Sequence, residues 1–185
     1  MSKVAIVTGA GKRVGRVLAA GLLVDGWQVV AHVRRKEDEV PDGAIPVAAD
    51  LAQGREAAAA ILAACPQPPK LLVNNASRFA VDSLHDFSPE ELSGHMAVNV
   101  AAPALLTNAF AAADGSGDRL VVNILDAKLA APNPDFLSYT LSKAALAALT
   151  TLSAQALGSE GVRVNAIAPA LMLLSEGQSA DNFAA

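Results

Sequence analysis

Six short, continuously apolar runs, at residues 4–7, 28–33, 44–48, 70–73, 119–124 and 162–167, alternate with alanine- and leucine-rich stretches long enough to be helices. Strands that are apolar on both faces belong in a sheet covered on both sides. Alternation with helices makes that sheet parallel, because parallel neighbours need a long crossover. The expected fold is therefore α/β, a Rossmann-like doubly wound parallel sheet in three αβα layers with right-handed crossovers. Breakers mark the joints: Gly26 precedes the second run, Pro66, Pro68 and Pro69 precede the fourth, and Gly158 and Gly161 close the helix before the sixth. There is no repeat and no interdomain linker, and 185 residues, 52% hydrophobic and 17% charged, suffice for one core, so a single domain over 1–185 is expected.

The bulk chemistry narrows the partners. A net charge of -4 offers no basic excess for phosphate neutralisation, so a small-molecule substrate is expected and a nucleic-acid partner is not. Cys65 is the only cysteine, which excludes an intrachain disulfide and a multi-cysteine metal site. His32, His85 and His95 are scattered without ligand spacing, so no metal is expected. No stretch approaches the ~20 apolar residues of a membrane span, nor does the start resemble a signal segment. A cytoplasmic protein without a membrane partner is the expectation.

The first turn reads Thr8-Gly9-Ala10-Gly11-Lys12-Arg13-Val14-Gly15. Gly9, Gly11 and Gly15 follow a strand directly and open a helix, so backbone amides and a helix N-terminus can face a pyrophosphate with no side chain in the way. After the second strand an NAD enzyme normally offers a carboxylate to the ribose 2′-hydroxyl. This chain offers His32, Arg34 and Arg35, with Lys12 nearby, and cations there suit a 2′-phosphate, so NADP(H) is the expected cofactor. The same arginines, with Lys36, can also be read as a solvated loop balanced by Glu37, Asp38 and Glu39.

Tyr139 and Lys143 stand four apart in a helical stretch, so the ammonium can lie near the phenol. A positive charge at about 4 Å, at an effective dielectric of ~20, would lower the phenol's pKa by roughly three units, making proton donation near neutral pH plausible. Asp126 lies upstream, at the start of a segment, 126–134, with two prolines. That segment is expected to be a loop at the carboxyl edge of the sheet, where ligands bind in such folds.

These residues, together with Asp50-Leu51, Asn74-Asn75-Ala76-Ser77, Asn99 and Arg163-Val164-Asn165-Ala166-Ile167-Ala168-Pro169, resemble the short-chain dehydrogenase/reductase family over nearly the whole chain. The resemblance implies that Asp50 and Leu51 meet the adenine, that Asn75, Ala76 and Ser77 line the cofactor path, and that Val14 belongs to the dinucleotide turn. It also implies that Lys143 binds the nicotinamide ribose, that Asn99 holds a proton-relay water, and that Pro169 sits beside the carboxamide.

Two departures from the family's commonest pattern, Arg13 at the third glycine position and Asp126 at the usual catalytic serine position, look like its pteridine reductase branch. So does Asn75-Ala76-Ser77-Arg78-Phe79. That branch implies hydride transfer from NADPH to a C=N carbon of a planar heterocycle, with Tyr139 as proton donor assisted by Lys143 and Asp126. Arg13 would face both pyrophosphate and pterin, Ser77 would hydrogen-bond the ring, and Phe79 would stack on it, although Phe79 can equally be read as core. The alternatives are a carbonyl or 3-oxoacyl reductase and a catalytically silent NADP-binding protein.

Glu90 and Glu91 follow Ser88-Pro89 and read as an acidic first helical turn rather than a catalytic pair. The helix expected at 138–157 is apolar on several faces, as is 103–113, and the family pairs these two across a two-fold, implying a homotetramer or homodimer. The sequence stops at Ala185, where the family continues through another helix and a seventh strand. The last strand and C-terminal part of the family fold are expected to be absent here, with 175–185 as a mobile substrate loop.

Overall fold

The computed structural model describes residues 3–115 and 117–170. The apolar runs become β1 (Val4–Thr8), β2 (Gln28–Val33), β3 (Ile45–Ala48), β4 (Leu71–Asn74), β5 (Arg119–Ile124) and β6 (Val162–Ile167). Between them run α1 (Arg13–Val24), α2 (Arg55–Ala63), α3 (Pro89–Met96), α4 (Ala102–Ala112) and α5 (Leu137–Leu157). The sheet is parallel throughout, in the order β3-β2-β1-β4-β5-β6. Strand order reverses between β1 and β4, and the carboxyl ends of those two strands open the crevice in which such sheets bind ligands.

Alternation along each strand sends side chains to two helical layers. On one face Val4, Ile6, Val30, Leu72 and Val121 meet Ala57 and Ile61 of α2 and Leu106 and Phe110 of α4. On the other, Val7, Val29, Ala31 and Val73 lie under Ala19 of α1, with Leu18, Leu22 and Trp27 around them. The expectation that every strand is covered on both sides holds for β1 and fails for β5 and β6. There burial alternates residue by residue, and Arg163, Asn165 and Ile167 stand out from β6, Ile167 being 57% exposed. The reason is geometric. Among the described residues α1 is the one helix packed on that face, and its cluster is built on β1, β2 and β4. The segment expected to form a mobile loop, 175–185, lies outside the described residues.

Helix ends follow local chemistry. Ser88 Oγ accepts from the Glu91 amide at 3.0 Å, with Pro89, Glu90 and Glu91 forming the acidic first turn of α3. Between α3 and α4 the chain passes through one wide π-helical segment, Ala97–Ala101. At the other end of α4 the buried Arg119 guanidinium donates to the carbonyls of Phe110 and Ala111, a cation at a helix C-terminus. The segment after β5 is not wholly loop, since Ala127–Ala130 make a short 3-10 turn capped by Asp126. No helix among the described residues is long and apolar enough to cross a membrane, and none of their His, Cys, Asp and Glu side chains form a group able to hold a metal.

Candidate active site

The glycine turn is fastened before any ligand arrives. Asn75 Nδ2 donates to the carbonyls of Thr8 (2.9 Å) and Gly9 (3.2 Å), while Thr8 Oγ1 accepts from the amides of Asn75 and Ala76, both at 3.0 Å. Gly9 takes φ +66°, which favours glycine. At Gly15 an added Cβ would lie 2.1 Å from the Gly9 carbonyl oxygen and 2.5 Å from Asn75 Nδ2, so no side chain can stand there. Lys12, the N-cap residue of α1, is extended and makes no side-chain cap. The N-cap side chain therefore does not occupy the positive end of α1, where an anion can bind. A bare, glycine-walled cradle at a helix N-terminus fits a dinucleotide pyrophosphate, and Gly11, Arg13 and Val14 complete it. Arg13 holds φ +47°, a left-handed value unusual for a residue with a side chain.

His32 does not act as a cation for a 2′-phosphate. It is 2% exposed, its Nδ1 accepts from the Gly9 amide at 3.3 Å, and its Nε2 faces the Ala49 carbonyl at 2.9 Å, which requires the neutral Nε2–H tautomer. Burial pushes its pKa below 6.5, against smaller raising effects of the Ala49 carbonyl and the Asp50 charge. It braces the turn from beneath. Lys12, Arg34 and Arg35, by contrast, are exposed, with Arg34 3.6 Å from Asp50. Asp50 also accepts from the Ala52 amide at 3.0 Å, and the Leu51 side chain is buried in the core, so only its backbone can face a cofactor.

Across the crevice, the end of β5 brings Asp126 to the start of α5. Tyr139 Oη donates to Asp126 Oδ2 at 2.7 Å, and Asp126 Oδ1 accepts from the Lys128 amide at 2.8 Å. Lys143 Nζ donates to the Ile124 carbonyl at 2.7 Å and stands 5.6 Å from the Tyr139 ring centroid. The phenol's pKa lies above its ordinary value, not below it as expected from Lys143 alone. Desolvation, the hydrogen bond to Asp126 and the Asp126 charge all raise it, and the smaller opposing influence comes from Arg13. Lys143 is itself affected by burial, which lowers its pKa to about 8 against the pull of Asp126.

The Asn99 side chain is held by its neighbours. Its Oδ1 accepts from the Arg78 amide (2.7 Å) and Ser77 Oγ (3.2 Å), and its Nδ2 donates to the Arg78 carbonyl (3.0 Å) and Ser142 Oγ (2.9 Å). The side-chain amide is fully committed to the 77–78 segment and Ser142, so a relay water would be held by the Asn99 backbone carbonyl rather than by its side chain. Ser142 extends this chain to the Tyr139 carbonyl at 2.7 Å. Ala76 and Ser77 follow the Thr8 clamp along the crevice, and the Pro169 carbonyl accepts from the Ala127 amide at 3.0 Å beside Asp126.

Phe79 is 61% exposed, which removes the core-packing alternative. It stacks on Phe136 at 4.7 Å and meets Tyr139 edge-on at 4.8 Å. Lys128 Nζ sits 4.7 Å from the Phe136 ring centroid. Phe136, Ser142 and Asp82 did not stand out in the sequence as site residues. Spacing of three from Tyr139 was the available signal for Phe136 on one side and Ser142 on the other, and Asp82 left none.

The sequence model of the short chain dehydrogenase family matches residues 3–182. Pteridine reductase 1 of Leishmania tarentolae is 30% identical over 224 residues, covering 94% of this chain and 78% of that protein. Carbonyl reductase [NADPH] 2 of Sus scrofa is also 30% identical, over 182 residues that cover 95% and 74%. Among solved structures, FolM Alternative dihydrofolate reductase 1 from Brucella canis, complexed with NADP, superposes with a TM-score of 0.84 at 36% identity, covering 98% of this chain and 76% of that one. A six-stranded parallel sheet, a glycine cradle at its switch point, a Tyr139-Lys143 pair facing it and this breadth of match together establish that the chain belongs to the short-chain dehydrogenase family of oxidoreductases.

Proposed function

We propose that this chain is an NADPH-dependent reductase acting on a pteridine-type C=N bond. The cradle of Gly9, Gly11, Lys12, Arg13, Val14 and Gly15 would hold the pyrophosphate, Lys12, Arg34 and Arg35 the 2′-phosphate, Asp50 and the Leu51 backbone the adenine, and Lys143 and Pro169 the nicotinamide end. When bound, NADPH supplies the hydride to the ring carbon. The protein's own task is to hold a flat heterocycle and to deliver one proton to the ring nitrogen.

The observation that carries this reading is the 2.7 Å hydrogen bond between Tyr139 and Asp126 beside the exposed Phe79 ring. A phenol held next to a carboxylate resists ionising, so it keeps its proton until a stronger acceptor arrives. The proton passes from Tyr139 Oη to the ring nitrogen, and one proton from solvent, relayed across the Tyr139–Asp126 hydrogen bond, restores the phenol in each turnover. Lys143, cationic below about pH 8, stabilises the phenol oxygen as it gives up its proton. Phe79 offers a face for stacking, and Ser77 and Arg13 offer polar contacts at its edge.

A carbonyl reductase remains the second reading, favoured by the equal identity of Carbonyl reductase [NADPH] 2. Against it, the position that polarises a carbonyl in the family's commonest pattern carries Asp126, an acceptor already bound to the phenol. The apolar face of α5, with Leu141 and Leu152 exposed, supports self-association through that helix.

NADPH oxidation measured against dihydrobiopterin, dihydrofolate and a panel of ketones tests the assignment. The expected result is a kcat/KM for a pterin at least about tenfold above any ketone. Preference for a ketone moves the function to the carbonyl class, and tight NADPH binding without turnover makes the chain a silent binder. In Tyr139→Phe, turnover should fall by roughly 10²–10⁴ while NADPH affinity is retained.

A further inference from the structure

The N-terminus of α5 carries Tyr139 in its first turn, yet it is not capped by its own sequence. Phe136, at the cap position, is left-handed at φ +60° and makes no side-chain cap. An α-helix leaves its first amides without intrahelical partners, and burying them unpaired is unfavourable. The partner comes from far along the chain: Asp82 Oδ1 and Oδ2 accept from the Ser138 amide at 3.1 and 3.3 Å, and the Asp82 carbonyl accepts from the Leu137 amide at 3.2 Å. Asp82 is 5% exposed, and among the described residues no lysine or arginine forms an ion pair with it. A buried carboxylate needs compensation, and here the positive end of α5 provides it. Asp82 also belongs to the loop that carries Phe79, whose ring lies against both Phe136 and Tyr139.

We propose that Asp82 is a positioning residue, which fixes the first turn of α5 so that the Tyr139 phenol reaches Asp126 and which fastens that turn to the Phe79 loop. The inference rests on the reading of Tyr139 and Asp126 as the acid pair. Ser138, which Asp82 holds, is the residue next to Tyr139, and a displacement of about 1 Å in that turn is enough to break a 2.7 Å hydrogen bond and to cost a large factor in rate.

Tyr139 is the only tyrosine in the chain, so its ionisation can be read without interference from any other phenol. Alkaline ultraviolet titration, or a single resonance from ¹³Cζ-labelled tyrosine, reports the midpoint, with far-ultraviolet circular dichroism verifying the fold at each pH. In the parent the phenol is held above its ordinary value by burial and by Asp126. In Asp82→Ala it should leave that environment, its midpoint dropping by at least about one unit toward ~10. Turnover should fall roughly 10- to 100-fold with NADPH affinity unchanged, a split between chemistry and cofactor binding. Asp82→Asn, which keeps a neutral acceptor, should lie between the two, and it carries the test if Asp82→Ala does not fold. A folded Asp82→Ala with parental midpoint, or a parental Asp82→Asn where alanine fails to fold, overturns the proposal. A midpoint that moves in a protein that reduces no pterin leaves Asp82 its role and removes the pterin assignment instead.

Discussion

Where the glycine turn meets β4, nearly every group that shapes the crevice is bonded to another group of the protein. Asn75 and Thr8 clamp the turn, and His32 supports Gly9 from below. Across the crevice, Phe79 is largely exposed, Lys128 covers Phe136, and the Tyr139 phenol rests on a single carboxylate. One wall is built from backbone and short amides that have one arrangement. The other is built from aromatic faces and a proton-bearing pair that can give way to a ligand. An invariant pyrophosphate needs the first kind of surface, and a varied set of small substrates suits the second.

The contrast breaks most visibly at Gly15. Gly15→Ala drives a methyl group into the Gly9 carbonyl at 2.1 Å, where the obstacle is backbone rather than a flexible side chain. A loss of about 3 kcal/mol or more is expected, read as a Tm lowered by roughly 6–12 °C together with loss of NADPH binding. A parental melting curve would show that the turn is not the rigid wall described.

Proton titration should then separate the two walls. Lys143 titrates at about 8, so turnover should decline as pH rises through that value and the ammonium is lost. Its folded pKa lies below its ordinary 10.5, so charging it is harder in the folded state. The resulting penalty on stability is complete below about pH 8 and fades between there and 10.5. Activity should therefore fall over a range in which this group's effect on stability improves. His32 acts at the acid end. Its pKa is lowered from 6.5, so its stabilisation of the turn is present above 6.5 and is lost as the pH falls below it. NADPH affinity, followed by fluorescence, should weaken on acidification while the alkaline limb of turnover is unaffected. Coincident limbs in both measurements would contradict the division.

The mildest change is expected from Phe79→Ala. A ring 61% exposed contributes little to folding, so the Tm should hardly move, whereas KM for a pterin should rise about tenfold through lost stacking. An unchanged KM would place the substrate elsewhere.

The strands were legible because each is a local run of β-branched and aliphatic residues, and the structure moves their ends by a residue at most. The glycine turn was legible for the same reason, being one contiguous motif. Contacts between distant segments left no such trace. Nothing in the neighbourhood of Asp82 announces that it caps a helix 56 residues later. His32 looked like a surface cation because Arg34 and Arg35 follow it closely, but β2 is covered on both faces and all its residues after Gln28 are buried. The phenol's acidity was misjudged from Lys143 alone, because the nearer partner, Asp126, sits on another element and carries the opposite charge. The uncovered side of β6 was likewise hidden, since Ile167 has the composition of a buried residue and 57% exposure.

Arg13 sits at φ +47°, in a region where a side chain costs about 1 kcal/mol or more and glycine would be at ease. Its charge is nevertheless felt by the Tyr139 phenol, where it opposes the influence of Asp126. Replacing it with glycine would relax the backbone and silence a cation that favours ionisation of the phenol. The stiff wall thus lends its neighbour an electrical bias at the expense of its own comfort, and stabilising that corner by design would detune the acid opposite.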